Sequence, residues 1–552
     1  MTHRMQGWLL VLTAFVTAFL IYLKNDVGTA FPYSDGGSHY VTGLLAYDWL
    51  HAPQLSNPMQ YGTEYFKHLP YIGLLLWPPL FYGMEMVAFS IFGPTIQVAM
   101  VLCTAIFALG AVVLGLAVRK GGYGILVAHV AAATLLTSTL IQEVQRNLLI
   151  DGLVSILSLA AALQFAYFLV KPSWRGAWFT GLLAILAFYA KGNGVQLGVV
   201  FPLLALMLRR PGMLFDRRTL AMAAACIVIT GPWLYVTAGL SAQGFLYTFS
   251  LSAMRELAGA HLMTVYHAMP ILAPFALIGA GKAIYRTAKA HLMDDGETMF
   301  MAACFSLVVG SVLFHTLTPV ATDARYMLGG LLGAFGLAVT GVDTVVRWLI
   351  ARSGRLARPT LVSALVAAVL AIQAVTGLLT PLPVIPGGMG NVAAEIMKVL
   401  PANNRGILLS GDHNVETSIG PALAQLDGKR ATKDGIVVVR GSRAFAGGAY
   451  RNRDYIPKFK DEAAYRAELN RLAIPVIVTG IAKPHEIWGH IASIEQLLAR
   501  PDSDYVKTAQ LPFFKEQTIT IWRRKDALLQ PMNFEAVTES NSLRERVNKV
   551  VN

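Results

Sequence analysis

The sequence predicts a polytopic α-helical membrane protein: about eleven transmembrane helices, with an interfacial or re-entrant segment in the first outer loop, followed by a small extracytoplasmic α/β domain. Composition is the first reason. Of 552 residues, 55% are hydrophobic and 14% charged, whereas soluble domains run near 45–50% apolar and about 25% charged. The second is charge placement. Residues 391–552 hold 41 of the 77 Asp, Glu, Lys and Arg, so the last part is composed for water and the first for lipid. The third is that most basic residues before position 391 sit in short loops between apolar runs, where they report orientation. The formal charge of +13 therefore does not indicate nucleic acid. Cys103, Cys226 and Cys304 all lie in apolar runs. The soluble part has no cysteine, which excludes a disulfide framework or a Cys-based zinc site there.

The first apolar run, Trp8 to Leu23, follows Arg4. It is longer than most signal-peptide cores and no small-residue cleavage site follows, so it reads as an uncleaved helix with a cytoplasmic N-terminus. Later spans are expected near 96–118, 123–141, 148–170, 176–190, 194–208, 219–239, 265–281, 298–317, 326–346 and 360–380. The stretch 70–92 is apolar but is broken by Trp77-Pro78-Pro79 and carries Glu85. If it does not cross, 16 of the 22 basic residues before position 391 fall on the side of Arg4. If it crosses, fifteen of those move outside, against the positive-inside rule. It is therefore read as re-entrant or interface-lying on the outer face, which places the soluble domain outside as well.

Three parts follow from this: a membrane domain over 1–384, a soluble α/β domain over 385–525 and a polar tail over 526–552. Gly406–Ser410, Gly435–Val439, Ile474–Thr479 and Thr518–Trp522 are β-rich runs, separated by helix-like stretches such as Ala393–Leu400 and Glu462–Leu472. The Pro- and Gly-rich link from Thr380 to Gly390 ends the last membrane helix. The tail shows little periodicity and is expected to be loose. Tyr450 to Tyr455 is aromatic and basic, read either as a glycan contact or as a solvated loop.

Six basic residues before position 391 face outward in this topology: Lys24, Lys67, Arg146, Lys191, Arg255 and Arg325. Lys24 suits a snorkelling anchor. Arg146 and Lys191 lie at outer helix ends otherwise short of charge, and Arg325 opens a helix, where the macrodipole disfavours a cation. The same face collects Asp35, Asp48, Glu64, Glu143, Asp151 and Asp323. Local ion pairs explain some of this, such as Glu143 with Arg146 or Asp323 with Arg325. The functional reading is an outward cavity where cations grip an anionic substrate and a carboxylate moves protons. Asp35 lies in Phe31-Pro-Tyr-Ser-Asp-Gly-Gly-Ser-His-Tyr40, directly after the first helix. Asp151 sits just inside the outer end of a helix, where it either profits from the N-terminal dipole or holds a sugar hydroxyl or an ion. His39, His68, His261, His267 and His315 show no recognised metal-ligand spacing, and metal dependence stays open.

This order of residues resembles the GT-C glycosyltransferases, in the branch of the protein O-mannosyltransferases and lipid A aminoarabinose transferases. The resemblance is carried by Asp35 after the first helix and by Lys67-His-Leu-Pro70 opening a membrane-hugging stretch. Arg146-Asn-Leu-Leu-Ile-Asp151, Ala190-Lys191-Gly192 and Arg325-Tyr326 complete it. It covers most of residues 1–380. Lys67-His-Leu-Pro departs from the Lys-Pro-Pro of relatives, and Asp35 is followed by Gly where relatives commonly carry an acid.

The resemblance implies inverting transfer of a sugar from a polyprenyl-phosphate donor to a hydroxyl of an envelope lipid, glycan or protein, at the outer face of the plasma (cell inner) membrane. It implies Asp35 as general base, assisted by Asp151. Lys67, Lys191, Arg255 and Arg325 would hold the donor phosphate, with Arg146, Tyr326 and His68 in support. A divalent metal is compatible with it but is not indicated by the residues. The competing reading is a multi-pass lipid or glycoconjugate transporter or flippase, although no paired halves of the kind common in transporters are visible.

Overall fold

The computed structural model describes residues 3–540, apart from 26–30, 33, 54, 74, 243–249, 290–294, 319–321, 354–357, 386, 431, 433, 448–454, 482–487, 514–516 and 528–530. Of the aromatic and basic stretch from Tyr450, only Tyr455 is among them. The chain forms two compact units that cut across chain order. One comprises Met1–Asp26, Trp77–Phe81 and Met100–Pro383, and the other Val27–Leu76, Tyr82–Ala99 and Val384–Asn552.

Among the described residues, seven helices are long and apolar enough to cross a membrane: Arg4–Lys24, Ile96–Lys120, Asp151–Val170, Arg217–Gly239, Gly296–Leu317, Ala324–Arg352 and Pro359–Leu379. Two bent pairs raise this to nine if each counts as one span, against the eleven expected. Ile125–Leu136 and Thr139–Arg146 meet at 55°, and Leu251–Ala268 and Ala273–Ala288 at 115°. The second pair replaces the continuous span expected at 265–281. Pro270 has no N–H to donate and clashes with the preceding turn, so the helix stops at Ala268 and restarts at Ala273. The expected spans at 176–190 and 194–208 are the helices Trp174–Ala190 and Leu197–Met207, about 25 and 16 Å long and short of a bilayer core of about 30 Å.

Within this unit, Ala273–Ala288 and Leu328–Arg352 pack backbone to backbone. A Cβ on Gly341 would lie 1.8 Å from the Phe275 carbonyl oxygen, and one on Gly279 would lie 2.0 Å from that of Leu337. Small residues at such crossings let membrane helices gain van der Waals contact where lipid supplies no hydrophobic driving force.

In the second unit, a five-stranded sheet has the order β2-β1-β5-β7-β6. Its strands are β1 Gly406–Gly411, β2 Val437–Arg440, β5 Val476–Gly480, β6 Tyr505–Pro512 and β7 Thr518–Arg524. Two short strands, β3 Ala446–Gly447 and β4 Ile456–Pro457, pair separately. β2, β1 and β5 run parallel, and β7 and β6 are antiparallel. β1 and β5 are buried along their whole length, as strands covered on both faces should be. One core gathers Leu408, Val439, Phe445, Leu469, Ile477 and Ile494. The expected loose tail begins instead as a helix, Phe534–Ser540, which adds Ala536 and Val537 to that core. Asn533 N–H donates to the Leu472 carbonyl at 3.1 Å.

The segment after the first membrane helix folds into Asp35–His51, Pro58–His68 and Leu80–Phe92, all of this unit save Leu80 and Phe81. The third carries Glu85 and spans about 20 Å, too short to cross alone. Gly37 allows the first helix to rest on His413–Leu426, since a Cβ there would lie 2.4 Å from the Thr417 carbonyl oxygen. Arg430 grips Asp48 through Nε–Oδ2 at 2.8 Å and Nη2–Oδ1 at 3.0 Å, and Tyr65 donates to the same carboxylate at 3.0 Å. Burial pushes the Asp48 carboxyl up, and Arg430 pulls it back.

Two outcomes follow for stability. Gly341→Ala forces the two helices apart and lowers the unfolding temperature in detergent, as overpacking typically costs about 1–3 kcal/mol; an unchanged temperature contradicts this contact. Burial also lowers His490 from 6.5 to about 4 and shifts His68 the same way. The unfolded chain therefore takes up these protons at higher pH than the folded domain does. Stability is expected to fall as pH drops from about 6.5 to about 4, and His490→Gln should flatten that slope in a pH series of thermal melts.

Candidate functional site

In the membrane unit, the chain places an ion-pair cluster where several apolar helices begin or end. Asp151 is the first residue of Asp151–Val170 and is buried. Lys191 follows Trp174–Ala190, whose end lets its backbone turn extended. Its Nζ donates to Asp151 Oδ1 at 2.6 Å, with Lys191 9% and Asp151 2% exposed. Asp151 Oδ2 is buried and accepts no hydrogen bond from the described residues.

The other half of the cluster comes from the short helix Ala324–Met327. Asp323 caps it by accepting from the Arg325 N–H, and its carboxylate also lies 3.0 Å from Arg325 Nε. That carboxylate offsets the cation at a helix N-terminus, where the macrodipole alone would repel it. Tyr326 gathers both cations: Lys191 Nζ lies 5.2 Å and the Arg325 guanidinium 5.4 Å from its ring centre. Such contacts contribute about 0.5–2 kcal/mol, more when dry. His315 stacks on Tyr326 with ring centres 5.6 Å apart and planes at 16°, and His261 packs against His315 at 5.9 Å. Both imidazoles are buried. Nδ1 of His315 and Nε2 of His261 have no hydrogen-bond partner among the described residues.

Asp151, Lys191, Arg325 and Tyr326, picked out separately in the sequence, are thus neighbours. Arg146 ends its helix and donates to the Pro383 carbonyl. Arg255 lies on Leu251–Ala268, exposed, about 9 Å along the axis from His261, and makes no ion pair among the described residues. Lys24 donates to the Leu378 carbonyl at 2.6 Å, as a helix-end anchor would.

The remaining candidates lie in the second unit. Asp35 is the first residue of its helix and half-buried, after Ser34 at φ 58°. The Ser34 N–H donates to Thr417 Oγ1 at 2.8 Å, which fixes the entry to that helix. One turn on, His39 Nδ1 lies 2.7 Å from the Tyr82 hydroxyl. Lys67 pairs with Glu64 at 2.7 Å. His68 is buried, with Nδ1 3.1 Å from the Ile436 carbonyl oxygen and its ring beside Phe534, which makes it a contact between the loop and the sheet.

From the sequence, His261 and His315 are only possible metal ligands without a recognised spacing. Their stacking role had one sequence signal, a polar residue inside an apolar run. Among the described residues, no group of three or more His, Cys, Asp or Glu could hold a metal ion.

Neither a family profile nor a curated protein sequence matches the chain. Solved structures do. ArnT from Cupriavidus metallidurans bound to undecaprenyl phosphate aligns over 94% of this chain and 98% of its own, with a TM-score of 0.57 at 13% identity. Its apo state aligns over the same shares with a TM-score of 0.55 at 13% identity. The fold is therefore that of the GT-C glycosyltransferases, as the resemblance in the sequence implied.

Because Lys191 and Asp151 are buried together, removing one partner leaves the other uncompensated, a loss of about 3–5 kcal/mol. Lys191→Met should therefore destabilise the protein strongly, and adding Asp151→Leu should restore most of that loss. Additive losses in thermal melts of the single and double variants would contradict the pairing.

Proposed function

We propose that this chain is a glycosyltransferase that moves a sugar from a polyprenyl-phosphate donor to an acceptor hydroxyl at the outer membrane face, with inversion. The observation that carries the reading is the convergence of Lys191 and Arg325 on Tyr326, beside Asp151, in a GT-C fold. It is supported by the likeness to a structure that holds undecaprenyl phosphate.

In this reaction the acceptor oxygen attacks the anomeric carbon as the bond from that carbon to the phosphate oxygen breaks. The electrons of that bond leave with the polyprenyl phosphate, which gains negative charge. Lys191 and Arg325 stabilise that charge through charge-assisted hydrogen bonds, which gain strength where water is excluded. Asp151 keeps Lys191 aimed, and its second oxygen is available to a sugar hydroxyl. Tyr326, backed by His315, fixes the spacing of the two cations. Asp35 takes the acceptor proton. Lys67, Arg255 and Arg146 are assigned to the outer approach of the phosphate. The sugar is a hexose or a pentose and the acceptor a lipid, glycan or protein hydroxyl.

The test uses purified protein in lipid with radiolabelled polyprenyl-phosphate sugars and an envelope acceptor fraction. Asp35→Asn should lower transfer by about 10²–10⁴-fold while donor binding persists. Equal transfer by both proteins removes Asp35 from the role of base. If wild type transfers nothing from a broad donor panel and instead moves lipid-linked glycan across liposomes, the enzyme reading fails in favour of transport.

A further inference from the structure

We propose that a groove between the helices Ala273–Ala288 and Leu328–Arg352, remote in sequence from Asp151 and Lys191, binds an anionic phospholipid. The groove has a volume of about 470 Å³ and is lined by Ile278, Gly281, Lys282, Tyr285, Arg286 and Thr344. Among the described residues, no carboxylate lines it. A Cβ on Gly281 would meet nothing within 4 Å. Leu277, Ile278, Ile284 and Tyr285 are exposed on an apolar helix, a wall suited to acyl chains.

The basic end is built and not merely charged. Lys282 Nζ lies 2.7 Å from Glu297, and Arg286 lies 3.0 Å from Glu297 and also pairs with Asp295. Lys289 sits 4.4 Å over the Tyr285 ring and Arg352 4.3 Å over that of Trp348. Arg347 pairs with Asp343 at 2.8 Å. Among the described residues, five cations thus meet three carboxylates, which hold the long side chains in place. Tyr285 and Trp348 have the amphipathic rings that settle at the headgroup level of a bilayer. An apolar wall ending in fixed cations matches a lipid with an anionic phosphate headgroup, and basic pockets between membrane helices recruit such lipids.

The experiment is native mass spectrometry of the full chain, with equal amounts of phosphatidylglycerol and phosphatidylcholine of the same acyl chains. Wild type should retain phosphatidylglycerol preferentially, and Lys282→Gln or Arg286→Gln should each lower that preference about five-fold. Because those changes also disturb ion pairs, Gly281→Leu serves as the second variant: it fills the groove, keeps every charge and should abolish the preference without lowering the unfolding temperature in lipid-free detergent. Equal retention of the two lipids by wild type overturns the proposal, as does an unchanged preference in Gly281→Leu. Displacement of phosphatidylglycerol by stoichiometric undecaprenyl phosphate would overturn it too, because the groove would then serve the carrier lipid.

Discussion

The membrane unit depends on a buried lysine that has one carboxylate within reach. A charge among apolar helices is costly unless paired, and Lys191 with Asp151 meets that constraint at 2.6 Å. The pair fixes where Trp174–Ala190 ends and where Asp151–Val170 begins. Once Lys191 is held there, its ammonium lies over Tyr326, and the same ring sets the position of Arg325, which has a carboxylate partner of its own in Asp323. Two cations are thereby kept close to one ring among packed helices.

The second unit shows a related economy. Its helices Asp35–His51 and Pro58–His68 are held by contacts to the α/β domain. Arg430 with Asp48, His68 with the Ile436 carbonyl and Gly37 against Thr417 are three different kinds of contact serving that purpose. Asp35 inherits its position from them, because the backbone turn at Ser34 is tied to Thr417.

The composition shift, most of the membrane helices and four of the principal strands were legible because each is a local property of the sequence. So were the cations at helix ends, since a charge near the end of an apolar run is conspicuous. Their partners were not. Lys191 and Asp151 are forty residues apart, and Arg430 and Asp48 far more, so nothing short of the fold brings them together. The break at Pro270 was readable in principle, but the apolar run continues through it and hydropathy dominated. β6 was missed because it is an edge strand with Val506, Lys507, Thr508 and Gln510 exposed, which leaves little alternation to detect. The helix Phe534–Ser540 was missed because two small apolar residues carry its packing.

The central claim is that Lys191 and Arg325, spaced by Tyr326, form a seat for the phosphate of a polyprenyl carrier. The most direct measurement is an electron cryomicroscopy structure of the full chain in a nanodisc loaded with undecaprenyl phosphate. The account predicts phosphate density within hydrogen-bonding distance of both cations, with the Lys191–Asp151 pair intact. Density seated elsewhere, with neither Lys191 nor Arg325 in contact with phosphate, would contradict it.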